Sequence, residues 1–432
     1  MRVLVLGGYG FIGLAIAQRL HAAGHAVIGL GRSIETGRRL FPTIRWISVD
    51  IAAMQTPEHW QPYLEKIDVV INAAGALQDS PRENLARVHG TSIIALVKAC
   101  EGSKDLRFIQ ISAPGATTTA TTEFMRSKAR ADAAIKKSTI DWVILRPGLV
   151  IGPNAYGGSA LIRLLAAFPV VLLIAFPNQR IQTVALSDVT RIVLLAALGR
   201  LPRRLDVDLL EVEPHSLRNI VERFRAWLGV PPARAVIAVP DWAVGVAAWI
   251  AHLLGYLGWR SPMRSTAMRA IKDEVLGDPS AIRAIDGSDL LSLDKTLEAM
   301  PATIQDRWFA RLYLSMPAMV AVLSAFWLLS GIVAMLDVSG ASAVIPEGKF
   351  PERMAPVLVV GGAIFDILLG AAILYRPLAR HACLGMAFVS LLYVVSGTIL
   401  SPELWLDPLG PLIKVFPEIV LALATWSVLE ER

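Results

Sequence analysis

The chain has 432 residues, more than one ordinary core accommodates, so two or three domains are expected. Hydrophobic residues make up 54% and charged residues only 18%, with a mean hydropathy of +0.52; this is too apolar for a soluble enzyme and points to membrane segments. The formal net charge is +6, but no Lys/Arg run is interleaved with aromatics, which excludes nucleic acid as an expected partner and suits basic residues on the cytoplasmic side of a membrane. Cys100 and Cys383 form neither a disulfide framework nor a CxxC metal site, so no metal is expected and a reducing compartment is.

Val3–Leu6 reads as a buried strand, followed by Gly7-Gly8-Tyr9-Gly10-Phe11-Ile12-Gly13 and an apolar helical pattern over Gly13–Ala23. This is the layout of a dinucleotide-binding turn. Gly7 lets the strand turn sharply, Gly10 lets the backbone approach a pyrophosphate, and Gly13 lets the helix pack close to the strand. The helix N-terminus, with Phe11 and Ile12 in its first turn, offers free N–H groups and partial positive charge. Arg2 and Ala15-Ile16-Ala17 imitate a secretory signal with its cleavage site, but the spaced glycines make a poor apolar helix, so the domain is expected to stay uncleaved in the cytoplasm.

Strands are then expected at Ala26–Leu30, Ile44–Val49, Asp68–Asn72, Arg107–Ile111 and Trp142–Leu145, and helices at Asn84–Ala99 and Glu123–Lys137. Repeated strand–helix units predict an α/β, doubly wound parallel sheet (Rossmann) over 1–150, with its ligand at the carboxyl ends of the strands. The end of the second strand carries Gly31-Arg32-Ser33 instead of an acidic residue. Arg32 attracts a 2′-phosphate, so NADPH is expected ahead of NADH; the alternative is an Arg32 that only stacks on the adenine or is solvated.

The set Gly7-x-x-Gly10-x-x-Gly13, Asp50-Ile51, Asp68-Val-Val-Ile-Asn-Ala73-Ala74-Gly75, Gly90-Thr91, Phe124-x-x-x-Lys128, Leu145-Arg146-Pro147-Gly148 and Ser187-Asp188-Val189 resembles the short-chain dehydrogenase/reductase superfamily, in its extended or atypical branch. The resemblance covers about 200 residues and is specific only as a set. It implies that Asp50, with Ile51 beside it, contacts the adenine amine. Ala73, Ala74 and Gly75 would line the middle of the cofactor, and Pro147-Gly148 would lie by the nicotinamide.

The departures bear on function. The family's usual pair is a Tyr and a Lys four residues apart on one helix: the Tyr exchanges a proton with the substrate, and the Lys lowers its pKa and holds the ribose hydroxyls. Here the Tyr position is Phe124, which has no proton to give, and Lys128 alone is retained. The serine that polarises the carbonyl would fall at Ser112 or Ala113, and the helix Asn before Gly-Thr is His89, either a proton source or a histidine satisfied by a backbone group. Lys128 and Ser112 are the catalytic candidates. Atypical members similar to isoflavone reductases work without the Tyr, whereas those similar to the accessory subunit of respiratory complex I or to NmrA-like regulators hold the cofactor without turnover.

Residues 151–300 are expected to form the variable substrate part. Leu161–Phe176, broken by Pro169, reads as a helix and then a strand; Asn178–Val184 as extended; Ser187–Leu198 as a helix capped by Ser187; and His215–Leu228 as an amphipathic helix. Trp242–Leu257 is uncharged but short for a span, and is read as either lying on or crossing the membrane.

From residue 304 the composition turns to membrane character. Leu312–Leu336, Ala355–Tyr375, Ala382–Ser401 and a weaker Leu409–Leu429 predict an all-α transmembrane four-helix bundle over 304–432. Arg307, Arg311, Arg376, Arg380 and Arg432 would lie inside, against Lys349, Arg353 and Lys414 outside, placing the N-terminal domain in the cytoplasm at the cytoplasmic (inner) membrane. The helix number, the Arg pair between helices and Asp407-Pro-Leu-Gly-Pro-Leu-Ile-Lys414 resemble the DoxX-like family, some relatives of which are linked to quinone-dependent oxidation. Asp366 and Glu418 are the mid-membrane carboxylates, functional or simply bonded to neighbours. The expected function is a membrane-anchored NAD(P)H-dependent oxidoreductase acting on a small apolar substrate, a quinone or a lipid carbonyl. The alternative is a non-catalytic NADPH-binding sensor or assembly protein with a membrane protein partner.

Overall fold

The computed structural model describes residues 1–75, 86–103, 105–259, 272–343 and 354–429. The chain forms two compact units that part at Arg307 and Trp308, the second also taking in the stretch from Leu253 to Trp259. Lys349, Arg353 and Arg432, invoked above for orientation, lie outside the described residues, as does the start of the helix expected from Asn84.

The first unit opens as β1 (Arg2–Leu6), α1 (Phe11–Ala22), β2 (Ala26–Gly31), α2 (Ile34–Leu40), β3 (Arg45–Ser48), α3 (Pro57–Leu64), β4 (Val69–Asn72), α4 (Ser92–Cys100), β5 (Arg107–Ile111), α5 (Glu123–Lys137) and β6 (Asp141–Pro147). After β7 (Leu149–Ile151), α6 (Gly157–Ala166), β8 (Val171–Ile174), β9 (Arg180–Ile181), β10 (Thr183–Ala185) and α7 (Leu186–Ala197), a further strand, β11 (Leu205–Leu209), returns to the sheet. The sheet is seven-stranded, in the order β11-β6-β5-β4-β1-β2-β3, and every pairing is parallel. The order reverses between β1 and β4, and that switch point is where a doubly wound sheet opens its crevice.

Strand alternation explains the two cores. Val3, Val5, Ile109, Ile111, Val143 and Leu145 face one layer with Ile16 and Leu20 of α1 and Val189 and Val193 of α7. Leu4, Leu6, Val70, Phe108 and Ile144 face the other, with Trp60, Ile93, Leu96 and Ile135 of α3, α4 and α5. A strand buried on both faces needs apolar residues at every position, hence the unbroken runs in the sequence.

The rest of this unit contains β12 (His215–Ser216), α8 (Leu217–Trp227), β13 (Ala235–Ala238), α9 (Asp241–Tyr256), which runs on into the second unit, α10 (Ser280–Asp286) and α11 (Leu293–Glu298). The expected helix–strand succession across Pro169 is present as α6 and β8. Several boundaries differ, those of α7 and α8 among them. Ser187 does not cap α7: the cap is Ala185, with no side-chain bond, and Asp188 instead accepts the Leu291 N–H at 2.8 Å while pairing with Arg191 at 3.1 Å. The helix expected from His215 begins at Leu217, where Ser216 Oγ accepts the Asn219 N–H at 3.1 Å.

The second unit holds α12 (Ile304–Leu336), whose first turn belongs to the first unit, then α13 (Val338–Ser342), α14 (Met354–Ala372), α15 (Arg376–Leu400) and α16 (Val415–Val428). Three of these, α12, α14 and α15, are long and apolar enough to cross a membrane. The expected fourth span is helical only over the 14 residues of α16, about 21 Å at 1.5 Å per residue, against a hydrocarbon core of about 30 Å. Helices α12 and α14 cross at small residues: a side chain at Gly331 would fall 2.4 Å from Ala363 O, and Ser324 Oγ donates to Gly370 O at 2.8 Å.

Candidate functional site

The glycine turn lies at the switch point. Gly7 adopts a φ of +67°, and a Cβ there would sit 2.7 Å from Ala74 Cα and 2.8 Å from Ala73 O, so the end of β1 presses against the end of β4. A Cβ on Gly13 would lie 2.2 Å from Gly7 O, and one on Gly10 3.1 Å from the same oxygen. These contacts hold the start of α1 against β1. No side chain caps α1, so the N–H groups of its first turn, which contains Phe11 and Ile12, are available to an anionic oxygen. A cradle of this shape, with backbone donors and no intruding side chain, fits a pyrophosphate.

Arg32 is exposed at the end of β2; its N–H donates to Tyr9 Oη at 3.0 Å, and its carbonyl accepts from Ser48 Oγ at 2.9 Å. Gly31 is required beneath Tyr9, whose ring would lie 2.3 Å from an added Cβ. Exposed Asp50 follows β3 and accepts the Ala52 N–H at 3.1 Å, which turns Ile51 inward. Ala74 N–H is held by Asn72 Oδ1 at 3.1 Å, and Asn72 is itself fixed by Gln110 at 2.8 Å. Gly75 is exposed beyond them. Pro147 is buried, and Gly148 is closed in: an added Cβ would meet Leu210 Cδ2 at 2.4 Å and Gln182 O at 2.5 Å.

The catalytic candidates come from α5 and β5. Lys128 is buried; its ammonium donates to Ile111 O at 2.8 Å and lies 5.4 Å from the Phe124 ring centroid. Burial pulls its pKa down to about 8, opposed by the nearby Asp132 carboxylate. Ser112 donates its one hydroxyl proton to Asp132 Oδ2 at 2.6 Å, and Arg146 pairs with the same oxygen at 3.2 Å. Burial raises the Asp132 pKa, while Ser112, Arg146 and Lys128 oppose the rise. His89 is buried with its ring edge-on to Phe124 at 5.5 Å and its Nδ1 3.3 Å from Ser127 Oγ. Burial, helped by the Lys128 charge, pulls its pKa down to about 3, so it is neutral at physiological pH. A Cβ on Gly75 would come 3.9 Å from His89 Nε2, which brings His89 and Phe124 together beside the end of β4.

Sequence reasoning passed over Asp132 and Arg146. The signal available was the four-residue step from Lys128 to Asp132, which puts both on one face of α5. Arg146 stands in the Leu145–Gly148 motif, but nothing local marks its partners; its other nitrogen reaches Asp206 on β11 at 2.9 Å. In the second unit, Asp366 accepts from Ser330 Oγ at 3.2 Å and Tyr393 Oη at 3.0 Å. Glu418 accepts from Trp327 Nε1 at 2.9 Å and Ser390 Oγ at 2.5 Å. Both carboxylates are buried and bonded to neighbouring helices.

Residues 7–161 match the family model described as NAD(P)H-binding, and residues 324–423 match that of the DoxX-like family. The chain is an NAD(P)-binding Rossmann domain followed by a DoxX-like domain. An uncharacterized chloroplastic protein of Arabidopsis thaliana is 25% identical over 166 residues, 36% of this chain and 53% of its own, so the chain spans about half the length of that curated relative. Among solved structures, the UDP-glucose 4-epimerase of Thermotoga maritima is similar with a TM-score of 0.53 at 15% identity, covering 72% of this chain and all of its own. WbmG of Bordetella bronchiseptica, solved with NAD, has a TM-score of 0.52 at 18% identity over 69% of this chain and 92% of its own. The epimerase Mth375 of Methanothermobacter thermautotrophicus has a TM-score of 0.53 at 17% identity over 72% of this chain and 93% of its own. At these identities the likeness concerns the fold. The DoxX-like domain and the three apolar helices indicate a membrane protein with a lipid bilayer around it.

Proposed function

We propose that the chain is a membrane-anchored oxidoreductase that uses NADPH in preference to NADH to reduce an apolar, bilayer-soluble substrate, a quinone or a lipid carbonyl. In this reading residues 1–300 carry the nucleotide and substrate, 304–432 the anchor, and the first domain faces the cytoplasm of an inner membrane. The supporting observation is the uncapped N-terminus of α1 over the Gly7–Gly13 turn, beside an Arg32 with no acidic residue at the end of β2. Gly7, Gly10, Phe11, Ile12 and Gly13 would hold the pyrophosphate, Arg32 the 2′-phosphate, and Asp50 and Ile51 the adenine. Ala73, Ala74 and Gly75 would line the middle of the nucleotide, with Pro147 and Gly148 by the nicotinamide.

When bound, NADPH supplies a hydride. The accompanying proton falls to the chain. Phe124 has none, neutral His89 is a weak acid, and Lys128, with a pKa of about 8, is mostly charged near neutral pH and can release one. Ser112, engaged by Asp132, orients Asp132 beside Lys128.

Phe124 in place of the family's tyrosine favours a second reading, in which the nucleotide is held without turnover and the chain serves as a sensor or assembly protein. The full chain in nanodiscs, mixed anaerobically with NADPH and then with short-chain quinones and prenyl aldehydes, separates the two. Oxidation of NADPH that is slowed by Lys128→Met supports the enzyme. A raised melting temperature with NADPH and no oxidation by any acceptor supports the sensor.

A further inference from the structure

Helix α9 has two apolar faces, one buried and one exposed. Val244, Ala248, Ala251 and Gly255, spaced four, three and four residues apart, are buried, with Val244 packed in a cluster with Leu161. The opposite stripe, Trp242, Val246, Trp249, Ile250, Leu253 and Tyr256, is exposed: Trp242 to 74%, Trp249 to 62% and Tyr256 to 63%. An exposed stripe with two tryptophans and a tyrosine, running the length of a helix, is a docking surface and not scattered surface apolarity.

The end of the helix says what covers it. The carbonyl of Leu257 accepts the Arg376 N–H at 2.9 Å, and Trp259 Nε1 donates to Leu374 O at 2.6 Å. The Arg376 guanidinium lies 5.6 Å from the Trp259 ring centroid. Leu374 lies in the turn between α14 and α15, and Arg376 opens α15; both helices are long and apolar enough to cross a membrane. A turn between two crossing helices lies at a bilayer surface, so the end of α9 is held at that surface. Trp and Tyr rings are the residues that suit the headgroup boundary.

The helix is short for a crossing. Its 16 residues span about 24 Å, short of about 30 Å of hydrocarbon. Its start is charged, with Asp241 paired to Lys272 at 3.1 Å. We infer that α9 is an interfacial helix, lying in the plane of the bilayer with the Trp242–Trp249–Tyr256 stripe among the lipid headgroups and upper acyl chains. This follows from the helix and the spans alone and is independent of the proposed reaction.

The test uses the full chain in phosphatidylcholine–phosphatidylglycerol nanodiscs, spin-labelled at one cysteine at a time: Trp242→Cys, Val246→Cys, Trp249→Cys, Leu253→Cys or Tyr256→Cys. Cys100 and Cys383 are buried and are replaced by serine. Lys98→Cys, on the exposed face of α4, is the aqueous control. The expected result is an oxygen-to-nickel-chelate accessibility ratio several-fold above the Lys98 site at all five positions, at a uniform depth of about 5–10 Å. Ratios equal to that of Lys98 would overturn the inference, as they would if a protein partner covers the stripe. A depth profile with the two helix ends at opposite surfaces would overturn it in favour of a span.

Discussion

Ser112 Oγ and Asp132 Oδ2 are joined by a buried hydrogen bond of 2.6 Å. The hydroxyl proton is therefore engaged by a carboxylate four residues along α5 from Lys128. Ser112→Ala is expected to destabilise the fold by about 1.5–3 kcal/mol, the usual contribution of a hydrogen bond to a charged group. Denaturant unfolding of the purified chain, followed through the tryptophans of the first unit, measures it. A role in polarising a substrate carbonyl would instead show as a fall in kcat at unchanged stability.

Lys128 and His89 give opposite ends of a pH profile. The Lys128 pKa is lowered from 10.5 to about 8, so between those values the unfolded chain binds more protons than the folded one and stability rises with pH. Lys128→Met should abolish that rise and stabilise the apo protein near neutral pH by about 3 kcal/mol, the equivalent of the shift. The His89 pKa is lowered from 6.5 to about 3, so stability is lost as pH falls across that window. His89→Asn should move the acid unfolding midpoint to lower pH. Melting temperatures from pH 4 to 10 check both expectations.

The glycines of the turn should separate folding from binding. Gly13→Ala puts a methyl 2.2 Å from Gly7 O, against backbone that cannot yield, and should cost roughly 1–3 kcal/mol or more of stability. Gly10→Ala needs a shift of only a few tenths of an ångström from a contact at 3.1 Å, so the fold should persist while NADPH affinity falls by at least tenfold. Thermal unfolding and nucleotide titration, run on both variants, would show the contrast; equal loss of stability in the two would contradict it.

Glu418 binds α16 to two other helices through Trp327 and Ser390. Glu418→Ala leaves an indole N–H and a hydroxyl without that acceptor and should destabilise the second unit by about 1–3 kcal/mol. Glu418→Gln keeps one acceptor oxygen and should cost less. Thermal unfolding in detergent ranks the variants. If the two are equally stable, the carboxylate is not a structural tie.

The strand–helix alternation, the Gly7–Gly13 turn, the Phe124–Lys128 spacing and three apolar spans were legible in the sequence because each is a local pattern of residue size, polarity and period. β5 and α5 have the boundaries expected from their composition. Short elements were less so: α2 is seven residues and α3 eight, too few for periodicity to stand out. The length of α16 was misjudged because apolar residues before Val415 continue the pattern without continuing the helix. Only tertiary packing decided that Ser112 faces Asp132, 20 positions away, that Arg146 bridges α5 to β11, and that Glu418 meets Trp327, 91 positions away. A side chain's type limits the bonds it can form. Which partner comes within 3 Å depends on the strand order and helix packing that bring distant segments together, and no local pattern encodes that.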